Sequence, residues 1–144
     1  MVYHMKKIAV VYWSGSGNTE MMANAVAEGA KTAGADVDMM EAAAFSTNRI
    51  DDFDAFAFGC PAMGNEVLEE SEFEPMFEAC ENSFSDKPVV LFGSYGWGDG
   101  EWMRNWEERC RNNNINLKAE GLMCQDSPDE DGLESCRNLG SLLA

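Results

Sequence analysis

Hydrophobic and polar positions along the chain fall into two alternating patterns. Residues 8 to 12 (IAVVY), 55 to 60 (AFAFGC) and 89 to 92 (VVLF) are near-continuous apolar runs. Runs of that length without alternation fit strands covered on both faces. Between them the apolar spacing changes to three and four. Met21, Met22, Ala25, Val26 and Ala30 share one helical face, as do Phe73, Met76, Phe77 and Cys80, and again Trp102, Met103, Trp106 and Cys110. Residues 37 to 40 and 117 to 123 carry weaker strand patterns. The last helix has the clearest start. Ser127, Pro128 and Glu130 suit the N-cap, N1 and N3 positions of a capping box, which turns Leu133, Cys136, Leu139 and Leu143 inward.

Strand thus alternates with helix along the whole chain, which predicts an α/β fold: a parallel, doubly wound sheet with helices on both faces. Such sheets bind ligands outside the carboxyl ends of their strands. The loops that follow the strands are therefore where chemistry is expected.

A chain of 144 residues suits a single domain with one core and no linker. Charge narrows the partners. With 26 acidic against 10 basic residues the formal net charge is -16, which argues against nucleic acid or an anionic membrane and favours a basic protein partner. The densest run of charge, residues 66 to 81, reads as a solvated helix face and the loop before it. Cys60, Cys80, Cys110, Cys124 and Cys136 are odd in number and contain no C-x-x-C pair, so they read as reduced thiols of a cytoplasmic protein. The first apolar run is too short for a signal peptide or a membrane span. His4, in an N-terminal extension before Met5, is a poor candidate for catalysis.

The loop after the first strand is SGSGNT. Ser14, Ser16, Asn18 and Thr19 offer side-chain donors, while Gly15 and Gly17 let the backbone curl so that its N–H groups converge. A helix N-terminus behind the loop adds positive potential, so the preferred occupant is a phosphate. A Walker loop is ruled out, because no Lys or Arg stands between Lys7 and Lys31. The dinucleotide fingerprint fails at Glu20, where a third glycine is required, and no cysteine is followed by Arg at the spacing of a cysteine phosphatase. The other two loops are CPAMGNE from residue 60 and GSYGWGDGEW from residue 93. They hold Met63 and Trp97, large apolar residues that a flat aromatic ligand would bury. If Gly64 and Asn65 are the central residues of a turn, a type II turn needs positive φ at Asn65 and a type II′ turn needs it at Gly64.

The segments YWSGSGNTE, GCPAMGNE and LFGSYGWGDGEWM resemble the phosphate loop and the two ring-flanking loops of short-chain flavodoxins of the clostridial type, in the same order and along essentially the whole chain. The resemblance implies a five-stranded parallel sheet of order 2-1-3-4-5. It also implies non-covalent FMN and a low-potential carrier moving electrons between reductases and electron acceptors. By motif, Ser14, Gly15, Ser16, Gly17, Asn18 and Thr19 would hold the phosphate, with Ser94 nearby. Met63 and Trp97 would cover opposite faces of the ring, Glu66 would accept from the flavin N3–H, and the Gly64–Asn65 peptide would respond to reduction. Pro61, Ala62, Tyr95, Gly96 and Gly98 complete the implied cofactor-binding set. The region around Gln125 matches least and is assigned no role.

A low-dielectric pocket beside Glu66, Glu69, Glu70, Asp99 and Glu101 should tolerate a second negative charge poorly, making the last reduction step hard. No general base, nucleophile or metal constellation is visible, so a monomeric carrier is expected rather than an enzyme. The rival is an FMN-dependent NAD(P)H or quinone oxidoreductase on the same fold. A receiver-like signalling domain is a third possibility, but it would need an acidic cluster where Ser14 to Thr19 stand.

Overall fold

The computed structural model describes residues 5 to 144, so His4 lies outside the described residues. The strands are β1 (Lys7–Tyr12), β2 (Asp36–Glu41), β3 (Ala55–Gly59), β4 (Pro88–Tyr95), β5 (Asn116–Leu117) and β6 (Leu122–Gln125). The helices are α1 (Asn18–Thr32), α2 (Phe73–Cys80), α3 (Glu101–Asn112) and α4 (Glu130–Ser141). All strand pairs are parallel, in the order β2-β1-β3-β4-β5, with β6 also on β4.

The order agrees with expectation, but the last position does not hold one strand over residues 117 to 123. β5 pairs with Pro88 and Val89, and β6 pairs with the far half of β4, from Phe92 to Tyr95. Between them the chain is drawn toward α3: the Gly121 N–H donates to Glu107 Oε2 at 2.6 Å, and a Cβ on Gly121 would lie 2.3 Å from Met103 Sδ.

Strand alternation divides the apolar residues between two cores, one on each face of the sheet, where the sequence suggested one. Ala9, Val11, Phe56, Phe58, Val89 and Leu91 face α2 and α3, whose Phe73, Phe77, Trp102 and Trp106 join them. Ile8, Val10, Ala55, Ala57, Val90 and Phe92 face α1 and α4. The second core is lined by small residues, and α1 and α4 approach until a Cβ on Gly140 would stand 2.0 Å from the Val26 carbonyl oxygen.

Three local expectations are corrected. Met21 is exposed rather than packed, because α1 buries Met22, Ala23, Ala25 and Val26, and Met21 lies one helical step outside that stripe. α4 is capped by Asp129, not Ser127. Asp129 is extended (φ -86°, ψ -177°) and its Oδ1 accepts the Gly132 N–H at 2.8 Å, so Ser127 and Pro128 precede the helix. Leu133 is accordingly only half-buried, while Cys136, Leu139 and Leu143 are inside. The acidic run is not simply a solvated face. Glu69 is buried, and Glu74 and Glu81 both grip Arg109 of α3 at 2.7 Å, with the guanidinium 5.2 Å from the Phe77 ring centre.

Candidate functional site at the carboxyl ends of the strands

β1 delivers the chain to the sheet's carboxyl edge, and Gly17, at φ 99°, turns it into α1. A left-handed residue there suits glycine. Ser14 Oγ accepts the N–H groups of Gly17 at 3.1 Å and Glu20 at 3.2 Å, and Ser16 Oγ accepts that of Asn18 at 3.4 Å. These bonds hold the loop curled over the helix N-terminus. Thr19 is 1% exposed, its Oγ1 lies 2.9 Å from Ser94 Oγ, and it accepts the Ser94 N–H at 3.3 Å. The first loop is therefore fastened to the end of β4.

In the second loop Met63 and Val67 exchange two backbone hydrogen bonds, 2.9 and 3.1 Å long, closing a turn over residues 64 to 66. Positive φ falls on Gly64 (41°) and not on Asn65, so of the two turn alternatives the glycine takes the left-handed place. Glu66 also adopts positive φ, 56°. Its carboxylate reaches the third loop, where a Cβ on Gly98 would lie 2.1 Å from Oε1. That oxygen is buried and has no hydrogen-bond partner among the described residues.

Arg104 steadies the third loop by donating to the Asp99 carbonyl oxygen at 2.8 Å and to its carboxylate at 2.9 Å. The same hydrogen bonding and charge hold the Asp99 carboxyl below the usual range. Trp97 projects from this loop, 65% exposed.

The three loops surround a cavity of about 400 Å³. From the first come Ser14, Gly15, Ser16, Asn18 and Thr19; from the second Pro61, Ala62 and Met63; from the third Ser94, Tyr95 and Gly96. Gly17, Gly64, Asn65, Glu66, Trp97 and Gly98 belong to the same loops but are not on its wall. Glu66 instead lines a neighbouring space of about 150 Å³ with Trp102, Trp106 and Arg109. The cavity wall adds two residues that sequence reasoning missed, Trp13 and Asp126. Trp13, the first residue beyond β1, stands in the segment YWSGSGNTE but received no role there; its Nε1 donates to Glu72 at 3.2 Å. Asp126 is the first residue beyond β6, and its N–H donates to the Tyr95 carbonyl oxygen at 2.7 Å. The strand-end rule that exposed the other loops would have found it.

Comparison with known proteins agrees with this architecture. The flavodoxin family model matches residues 10–140. A flavodoxin of Clostridium beijerinckii is 44% identical over 135 residues, covering 94% of this chain and 97% of that protein. A flavodoxin of Megasphaera elsdenii is 41% identical over 140 residues, covering 95% and 98%. The solution structure of two-electron reduced Megasphaera elsdenii flavodoxin superposes with a TM-score of 0.83 at 39% identity, covering 94% of this chain and 97% of that one. A matching family model over most of the chain, two relatives of similar length and a shared strand order lead to one conclusion: this chain belongs to the flavodoxin family, the FMN-binding proteins of electron transfer.

Proposed function

We propose that the chain folds as one cytoplasmic, monomeric domain that holds FMN without a covalent bond in the 400 Å³ cavity and passes electrons between redox proteins. One observation carries the assignment of the site. A cradle of hydroxyls at a helix N-terminus lines the cavity, and in the second strand-end loop, facing a neighbouring space, a buried carboxylate oxygen of Glu66 has no donor among the described residues. The cradle suits a phosphate and the oxygen suits a ring N–H, and FMN has both.

Bound FMN supplies the redox chemistry, taking up and releasing electrons one at a time. The residues of the chain do the rest. Ser14, Ser16, Asn18 and Thr19, with the backbone of Gly15 and Gly17, hold the phosphate by hydrogen bonds where residues 8 to 30 offer no cation. Ser94 orients Thr19. Met63 and Trp97 would shield the ring from water, Pro61, Ala62, Tyr95 and Gly96 would pack around it, and Glu66 would fix its edge. The turn of Gly64 and Asn65 would stand near the ring, and Gly98 leaves room for the Glu66 carboxylate. Exposed Glu70, Asp99, Glu101 and Asp126 stand on the strand-end loops and would meet a basic face on a reductase or acceptor.

Ser16→Ala gives the cleaner test of the phosphate assignment, because Thr19→Ala would also strand the buried Ser94 N–H. Ser16→Ala should weaken FMN binding roughly tenfold and leave riboflavin, which has no phosphate, unchanged. Equal weakening of both ligands would remove the assignment. Rapid turnover of NADH with a quinone by the purified, FMN-loaded protein alone would replace a carrier with an oxidoreductase.

A further inference from the structure

The five cysteines are all buried and free, yet they differ chemically. Burial pushes the thiols of Cys60 and Cys80 up, and raises Cys110 to about 12. Cys136 is raised too, by its hydrogen bond to Cys124 and by burial. Cys124 alone shifts down, because the Cys136 thiol supports its sulfur against the opposing effects of burial and the Asp129 carboxylate.

Position brings the two thiols together in one core. Cys124 lies on β6 opposite Ser94, and Cys136 lies on α4, in the same apolar core. Gly132 stands one helical turn before Cys136, and a Cβ there would be 2.9 Å from Cys124 Sγ. The strand sulfur thus reaches the helix surface on the face that carries Cys136. Cys124 is 9% exposed and Cys136 is 0% exposed, so a small oxidant meets Cys124 first.

We propose that Cys124 and Cys136 form a peroxide-reactive dithiol, with Cys124 as the attacking sulfur and Cys136 as the resolving one. The Cys124 thiolate attacks one oxygen of hydrogen peroxide, the O–O bond breaks, hydroxide leaves, and the sulfur becomes a sulfenic acid. The Cys136 sulfur then attacks Cys124, the S–O bond breaks, and the hydroxyl departs as water with the Cys136 proton. In sum, two thiols and one peroxide give a disulfide and two waters. The new bond ties β6 to α4 and closes a loop that includes Asp126, on the cavity wall, and the helix cap Asp129. This inference does not depend on what the cavity holds.

The test treats FMN-loaded protein with hydrogen peroxide, removes the excess with catalase, and counts thiols after denaturation. The wild type should lose two of its five thiols and recover them with dithiothreitol. Digestion without reductant should yield one cross-linked peptide, joining Cys124 to Cys136. Cys136→Ala should stop at a sulfenic acid on Cys124 that dimedone traps, whereas Cys124→Val should keep its remaining thiols. Retention of all five thiols by the wild type, a cross-link between any other pair, or a lasting sulfenic acid on wild-type Cys124 would overturn the proposal. The peptide map of the wild type decides the matter even if a variant does not fold.

Discussion

Glu66 combines two features that a residue kept for stability alone would avoid. A positive φ of 56° costs a non-glycine residue about 1 kcal/mol, and its Oε1 is buried without a donor. Both are relieved in Glu66→Gly, so the apoprotein of that variant should be no less stable than the wild type, and up to about 1 kcal/mol more so. FMN affinity should fall at least roughly tenfold, through loss of a hydrogen bond to a charged acceptor. Urea midpoints of the apoproteins and FMN titrations read the two effects separately, and a loss of both would make Glu66 a structural residue. The sequence shows Glu66 as a candidate because it follows Met63, Gly64 and Asn65 in a strand-end loop. It does not show the contact with Gly98, which depends on two loops 32 residues apart meeting over the sheet edge. Thr19 is similar: its place in a phosphate loop is legible, but its pairing with Ser94 arises only once β4 ends beside β1's loop.

At the scale of single elements, α2 starts from a buried carboxylate. Glu69 accepts the N–H groups of Ser71, Glu72 and Phe73, at 2.8, 2.8 and 2.9 Å, and also the Ser71 hydroxyl. Burial alone would raise its carboxyl, but these four donors together hold it below the usual carboxylate range. The folded chain therefore keeps Glu69 ionised at a pH where the unfolded chain takes up a proton. Its stabilising contribution is complete above the unfolded value of about 4.3 and is lost as the pH falls through the lower folded value. Glu69→Gln should cost about 1 to 2 kcal/mol at neutral pH, and the gap from wild type should narrow below about pH 4. A gap that stays constant in urea melts from pH 7 to pH 3 would show that the charge is irrelevant to the cap. Sequence pattern misjudged this stretch because a capping glutamate and a solvated one look alike until the helix start is placed. The same ambiguity moved the α4 cap from Asp129 to Ser127, two residues of nearly equal capping strength. β1, β3 and β4 were legible because both of their faces are covered. β5 and β6 were not legible as separate strands, since the break between them is set by α3, through Glu107 and Met103.

Across the whole molecule, a formal net charge of -16 on 144 residues acts on folding and on encounter with opposite sign. Self-repulsion opposes the compact state, so added salt should raise the urea midpoint of the protein. The same salt should sharply slow electron transfer to a basic partner at low protein concentration, because it screens the attraction that brings the two together. An electron-transfer rate that is flat from low to physiological ionic strength would count against an acidic docking face. The alternation of strand and helix follows from features a reader of the chain can see: apolar runs too continuous for one-sided burial, separated by helical spacing; the order 2-1-3-4-5 was legible only through the resemblance of the three loops to flavodoxins. What stays hidden is the far edge. There β4 is registered twice, by Asn116 and Leu117 against its start and by Leu122 onward against its end, so neither half of the edge needs the other to stay in line. Extra chain entering between the halves would bulge outward while both registers stood. The break in the last strand is thus a joint at which this architecture can lengthen, and whatever is grafted there, by evolution or by an engineer, leaves the strand ends that frame the cavity where they are.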